Sequence, residues 1–136
     1  AGRLRHRAVR RLRLLRVMRA AHEVTAWLLI GFNAVAGALC LSAYRWPRLR
    51  GRWLWALVIV AQALVFVQAT LGTILARQEG VELGDLHALY GFSAIIAAMI
   101  MYGYRTSPFL KGKELILYGL GSLFVMGLGL RNLYLH

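Results

Sequence analysis

Two histidines, His22 and His87, open the first and third of four long apolar segments in this chain. On alternate antiparallel spans, residues so placed come to one membrane face, near enough to share an iron. A neutral imidazole is a good axial ligand for haem iron, and a porphyrin held between two helices needs small residues beside each ligand. Ala26 follows His22 by four residues and Gly91 follows His87 by four, so each histidine has a small neighbour on its own helical face. Gln68 stands one turn before Gly72, in the half of the second span nearest the same pocket. Arg77 and Arg131 end the second and fourth spans at this face. They suit haem propionates, although for each taken alone ordinary interfacial snorkelling is the better explanation.

The elements that must position these groups are apolar stretches. Of 136 residues, 60% are hydrophobic and only five are acidic, too little polar surface to cover a soluble core. Val24 to Tyr44, Trp53 to Ala76, Leu86 to Tyr104 and Leu115 to Leu130 span 21, 24, 19 and 16 residues. At about 1.5 Å per residue the first three cross a hydrocarbon core of roughly 30 Å unaided. The fourth must also take in Asn132, Leu133 and Tyr134. Connections of about ten residues force consecutive helices antiparallel and leave no room for a second domain. The expected fold is an all-α integral membrane protein, an antiparallel four-transmembrane-helix bundle over residues 18–136 with spans near 22–44, 53–76, 86–104 and 114–133.

Residues 1–17 form a separate basic arm in this reading. Arg3, Arg5, Arg7, Arg10, Arg11, Arg13 and Arg16 alternate with leucine and valine, the pattern of an interfacial helix on anionic lipid. Met18 reads as an initiator, so the arm is expected to be either functional or an upstream extension. The formal charge of +12 reflects membrane topology rather than nucleic acid, because its 17 Lys and Arg residues lie in this arm and at span ends. Seven lie on the face holding Arg45, Arg48, Arg50, Arg52, Arg105, Lys111 and Lys113, and ten on the opposite one. Discounting the arm leaves three on the histidine face, and the positive-inside rule then makes that face non-cytoplasmic. Glu79, Glu82 and Asp85 in the second connection agree with that orientation.

The remaining polar residues have structural explanations. Asn33 lies eleven residues after His22, nearly three turns, and with Gln62 is expected to bond across helices in the core. Thr70 and Thr73 also lie within a span. The glycines at 119, 121, 127 and 129 predict close packing of the fourth helix, and Ala34, Ala38, Ala94 and Ala98 predict close faces on the first and third. The single Cys40 reads as a small buried apolar residue.

The segments "HEVTAWLLIG" at His22 and "LHALYGF" at His87 stand 65 residues apart. Together with Gln68, Leu71 and Gly72 before a short connection, they resemble one half of a haem A synthase, over residues 18–136. In that family each half is a four-helix bundle whose first and third helices carry a histidine at the outer face. The resemblance implies b-type haem bound through His22 and His87 at the outer side of a prokaryotic respiratory membrane. Three departures accompany it: one half instead of two, no paired cysteines in the outer connection, and Arg19 where the catalytic half carries a carboxylate one turn before its first histidine.

The leading expectation is a small cytochrome-b-like protein for electron transfer or haem handling, with no complete haem oxidation chemistry of its own. The alternative is a haem-free accessory subunit of a respiratory or other energy-converting complex, for which small loops and a glycine-rich helix are suited; a homodimer is also compatible. A third reading is a four-helix proton-coupled exporter using Glu23, although that mechanism wants its carboxylate well inside the bilayer.

Overall fold

A computed structural model describes residues 1–79, 85–104, 107–108 and 111–134, and the described chain is helical with no strand. Helix α1 runs Gly2–Arg45, α2 Arg52–Glu79, α3 Asp85–Gly103 and α4 Glu114–Tyr134. The expected helix content is therefore present. The basic arm is helical and continuous with the first span. Its arginines, leucines and alanines are strong helix formers, and neither proline nor glycine interrupts the chain between Gly2 and Gly31, so the helix of the first span continues through Met18 into the arm. At 44 residues it is about 66 Å long.

Local chemistry sets the ends. Pro47 disfavours helical backbone in the residue before it, and Trp46 is extended with φ −117° and ψ 98°. Arg50 then turns back on α1, donating from Nε to Ala43 O at 3.0 Å and from Nη2 to Tyr44 O at 3.2 Å. These are among the carbonyls a helix terminus leaves without intrahelical partners. Before α4, Gly112 takes φ +83°, a left-handed conformation that favours glycine, and Glu114 in the first turn complements the helix dipole.

Among the described residues, three helices, α1, α2 and α4, are long and apolar enough to cross a membrane. The fourth gains that length by taking in Arg131 to Tyr134, as the sequence required, which leaves α3 the shortest at 19 residues.

Helix α1 is the centre of the fold, packed along α2 and α4, while α3 packs mainly on α4 and touches α2 sparsely. Neighbours run in opposite directions at their contacts. Ascending α1, Arg11 meets Gln78 and Asn33 meets Ala61 on α2. Likewise Ile30 faces Gly129 and Leu41 faces Gly119 on α4.

The interior mixes small and large side chains. Ala36, Gly37, Cys40, Ala43, Ala61, Gly119 and Ser122 are buried beside Leu54, Val58, Met101 and Val125, while Ile59, Phe66, Val67, Phe92, Ile96 and Met99 are exposed. Small interfaces surrounded by large apolar side chains suit helix association where lipid supplies no hydrophobic drive. The closest approach joins Gly37 and Gly119: a Cβ on Gly37 would lie 2.7 Å from Leu123 Cγ and 3.0 Å from Gly119 O. The expected glycine contacts of α4 thus exist at 119, 121 and 129, whereas Gly127 faces open space. On α1 the close face carries Ala36, Gly37 and Cys40; Ala34 is half-buried and Ala38 exposed, which corrects the expected face. Ala94 and Ala98 are buried as anticipated.

Asn33 is fully buried at the meeting of three helices. Its Nδ2 donates to Leu29 O at 2.9 Å and Ala61 O at 3.2 Å. Gln62 Nε2 lies 3.4 Å from both Asn33 Oδ1 and Ser122 Oγ, so this set of polar groups ties α1, α2 and α4 together. Trp55 meets Tyr118 edge-on, with ring centres 5.4 Å apart.

Candidate functional site

The separate helices α1 and α3 bring His22 and His87 together: their ring centres lie 6.3 Å apart, with the ring planes tilted by 58°. The two histidines are 65 residues apart in sequence, and each is half-buried near the same end of the helical assembly.

Helix α2 forms the wall behind His22. Gln68 Nε2 lies 3.4 Å from His22 Nε2, a distance at which the amide donates to the ring when the proton is on Nδ1. Gly72, one turn along, leaves the ring its space: a Cβ there would sit 3.1 Å from His22 Cε1. Helix α4 forms the support behind His87, where Asn132 Nδ2 lies 3.4 Å from the His87 carbonyl oxygen.

Two amide oxygens at this end, Gln68 Oε1 and Asn132 Oδ1, are buried without a hydrogen-bond partner, as is Gln62 Oε1 in the core. Buried polar atoms are nearly always satisfied, so orphaned acceptors point to something that completes the site. The flanking groups, two imidazoles and two amide oxygens, all offer lone pairs. They are complementary to an electron-pair acceptor or a hydrogen-bond donor.

The spacing of the rings permits a metal between them. A metal–nitrogen bond of about 2 Å on each side, with each ring centre roughly 1 Å behind its nitrogen, separates two axial imidazole centres by about 6 Å. Two such ligands across a gap suit a metal that brings its own equatorial donors; among the described residues no group of three or more His, Cys, Asp or Glu is placed to hold a bare ion. A porphyrin also needs room beside its ligands. Gly91 borders open space, with nothing within 4 Å of where its Cβ would be, and Ala26 is half-buried one turn from His22, so neither blocks a macrocycle beside the rings. The residues fit a haem by these tests.

Arg77 joins Arg7, Arg10 and Arg11 around a cleft beyond the histidines, and Arg131 is exposed in the last turn of α4. Neither is placed against the ring pair by a described contact. Glu23 is exposed. Thr70 and Thr73 donate to Phe66 O and Ala69 O of their own helix, each at 2.8 Å, and line an apolar groove with Ile95 where α2 and α3 diverge.

Asn132 is the residue that sequence reasoning placed only as part of a span. Its signal was an amide in the last turn of α4 at the depth of both histidines. Comparison with family models, curated proteins and solved structures finds no match to this chain.

Proposed function

We propose that this chain is a membrane-embedded four-helix bundle that binds b-type haem between α1 and α3, with His22 and His87 as axial ligands, and serves electron transfer or haem handling. The observation that carries the reading is the 6.3 Å separation of the two rings, the spacing that a metal held between two imidazoles requires. The large apolar residues exposed on α2 and α3 support the membrane setting, as does the close Gly37–Gly119 contact of α1 with α4.

Each residue then has a physical task. His22 and His87 supply the axial nitrogens. Gln68 orients His22: with its carboxamide turned so that the oxygen accepts from Nε2–H, the lone pair on Nδ1 is left to hold the metal. Gly72 admits the ring, Gly91 and Ala26 leave open faces for the macrocycle, and Asn132 fixes the backbone at His87. A bound haem would supply one-electron redox chemistry, with His22 and His87 as the residues that would hold it. The resemblance to half of a haem A synthase agrees with binding. Arg19, in place of the carboxylate, argues against oxidation of the haem itself, and no residue is assigned a catalytic role.

The test is haem titration of the purified full chain in detergent. Bis-histidine ligation should give a b-type spectrum with a sharp reduced α-band, lost in both His22→Ala and His87→Ala. A wild-type chain that remains colourless with ample haem would refute the reading.

A further inference from the structure

The cleft beyond the histidines carries a site independent of the haem reading. Arg11 Nη2 donates to Gln78 O at 2.8 Å, capping one of the carbonyls left over at the end of α2. This bond clips the arm of α1 to α2. It leaves Arg7, Arg10 and Arg77 around a space of about 380 Å³, with Leu14 and Gln78 completing the wall. Arg7 and Arg11 are one turn apart on one helix, where like charges repel, and Arg77 adds a further charge from the opposite side. Among the described residues no ion pair neutralises these four guanidinium groups. A compact set of forked donors around a space of that size matches phosphoryl oxygens, which arginine binds in bidentate fashion.

Position favours a lipid as the source. Arg77 lies five residues beyond Gly72, and Arg11 and Arg7 lie eleven and fifteen residues before His22, so the cleft runs from about 8 to about 22 Å outward of the histidines along the helices. With the ring pair at the hydrocarbon boundary, its inner end at Arg77 meets the edge of the headgroup layer, which reaches about 5 to 8 Å outward. Leu14 lies on the side nearer the membrane, where a glycerol backbone would follow the phosphate. We propose that the Arg7, Arg10, Arg11 and Arg77 cleft binds a phosphoryl anion, the headgroup of an anionic phospholipid.

The experiment uses the full chain in micelles loaded with equal amounts of phosphatidylglycerol and phosphatidylcholine, and reads retained lipid by native mass spectrometry. Because charge-assisted contacts are strong, phosphatidylglycerol should be retained about tenfold over phosphatidylcholine. Arg10→Gln with Arg77→Gln should remove most of that preference. Arg3→Gln with Arg5→Gln, which takes the same charge from outside the cleft, should change it less than about twofold, since only diffuse attraction is lost. Equal loss in the two double variants would overturn the proposal by showing attraction to the arm as a whole, and so would absence of preference in the wild type. Calorimetry with inorganic pyrophosphate distinguishes the source. Pyrophosphate binding that depends on Arg10 and Arg77, without lipid preference, would refute the headgroup and assign the cleft to a free phosphoryl anion.

Discussion

Gly72 offers a sharp perturbation because its missing side chain is the space that the His22 ring uses. Any Cβ at this position lies 3.1 Å from His22 Cε1, 3.7 Å from Nδ1 and 3.8 Å from Nε2. Ordinary carbon contacts are about 3.5 to 4.0 Å, so alanine already requires the ring to yield by a few tenths of an ångström. Valine adds two methyl groups about 1.5 Å beyond Cβ, a bond length comparable with Cα–C, and the ring must move by roughly 1 Å. Overpacking of this kind costs about 1 to 3 kcal/mol. If that cost falls on the ligand-ready arrangement, haem affinity weakens roughly 5- to 150-fold. The assay is haem titration followed at the Soret band, with helical content measured in parallel by circular dichroism. Gly127→Val is the control, since its Cβ would meet nothing within 4 Å. Wild-type haem affinity in Gly72→Val, or an equal loss in Gly127→Val, would refute the assignment of Gly72 as the wall behind an axial ligand.

Gly91→Leu fills open space in the haem-free chain, so its unfolding should stay within about 0.5 kcal/mol of wild type while haem uptake falls; full haem loading would remove Gly91 from the site. Replacing Asn33 by leucine deletes an amide shared among three helices and should lower stability by about 0.6 to 1.7 kcal/mol. Reversible unfolding in mixed micelles measures it, and an unchanged midpoint would show that the buried amide contributes little. Arg11→Gln cuts the tether to Gln78. Hydrogen exchange should then rise over residues 2–16 and remain unchanged over 29–43, whereas uniform protection would show that the arm needs no clip.

The helices and the meeting of His22 with His87 were legible because hydropathy and short connections leave few arrangements. Asn33 was legible for a similar reason, since an amide deep in an apolar span must find partners. The face that α1 presents to α4 was not. Alanines at 34 and 38 and small residues at 36, 37 and 40 lie on adjacent faces of one helix, and spacing alone does not say which face meets a neighbour. The arm continues the helix of the first span because helix propensity runs unbroken across Met18. Arg77 was grouped with the histidines by its position at a span end. Yet the arm, continuing α1 outward, supplies Arg7, Arg10 and Arg11 as its neighbours, a long-range contact that no local pattern encodes. Gln68 was readable from its depth, while its approach to Nε2 of His22 required knowing the relative rotation of α1 and α2.

The most direct measurement is the absorption spectrum of the purified full chain after reconstitution with haem, oxidised and then reduced. The account predicts a low-spin bis-histidine b-type spectrum that vanishes on replacing either His22 or His87 by alanine, in variants that keep their helical content. A chain that takes up no haem, or one whose spectrum survives both substitutions, would contradict it.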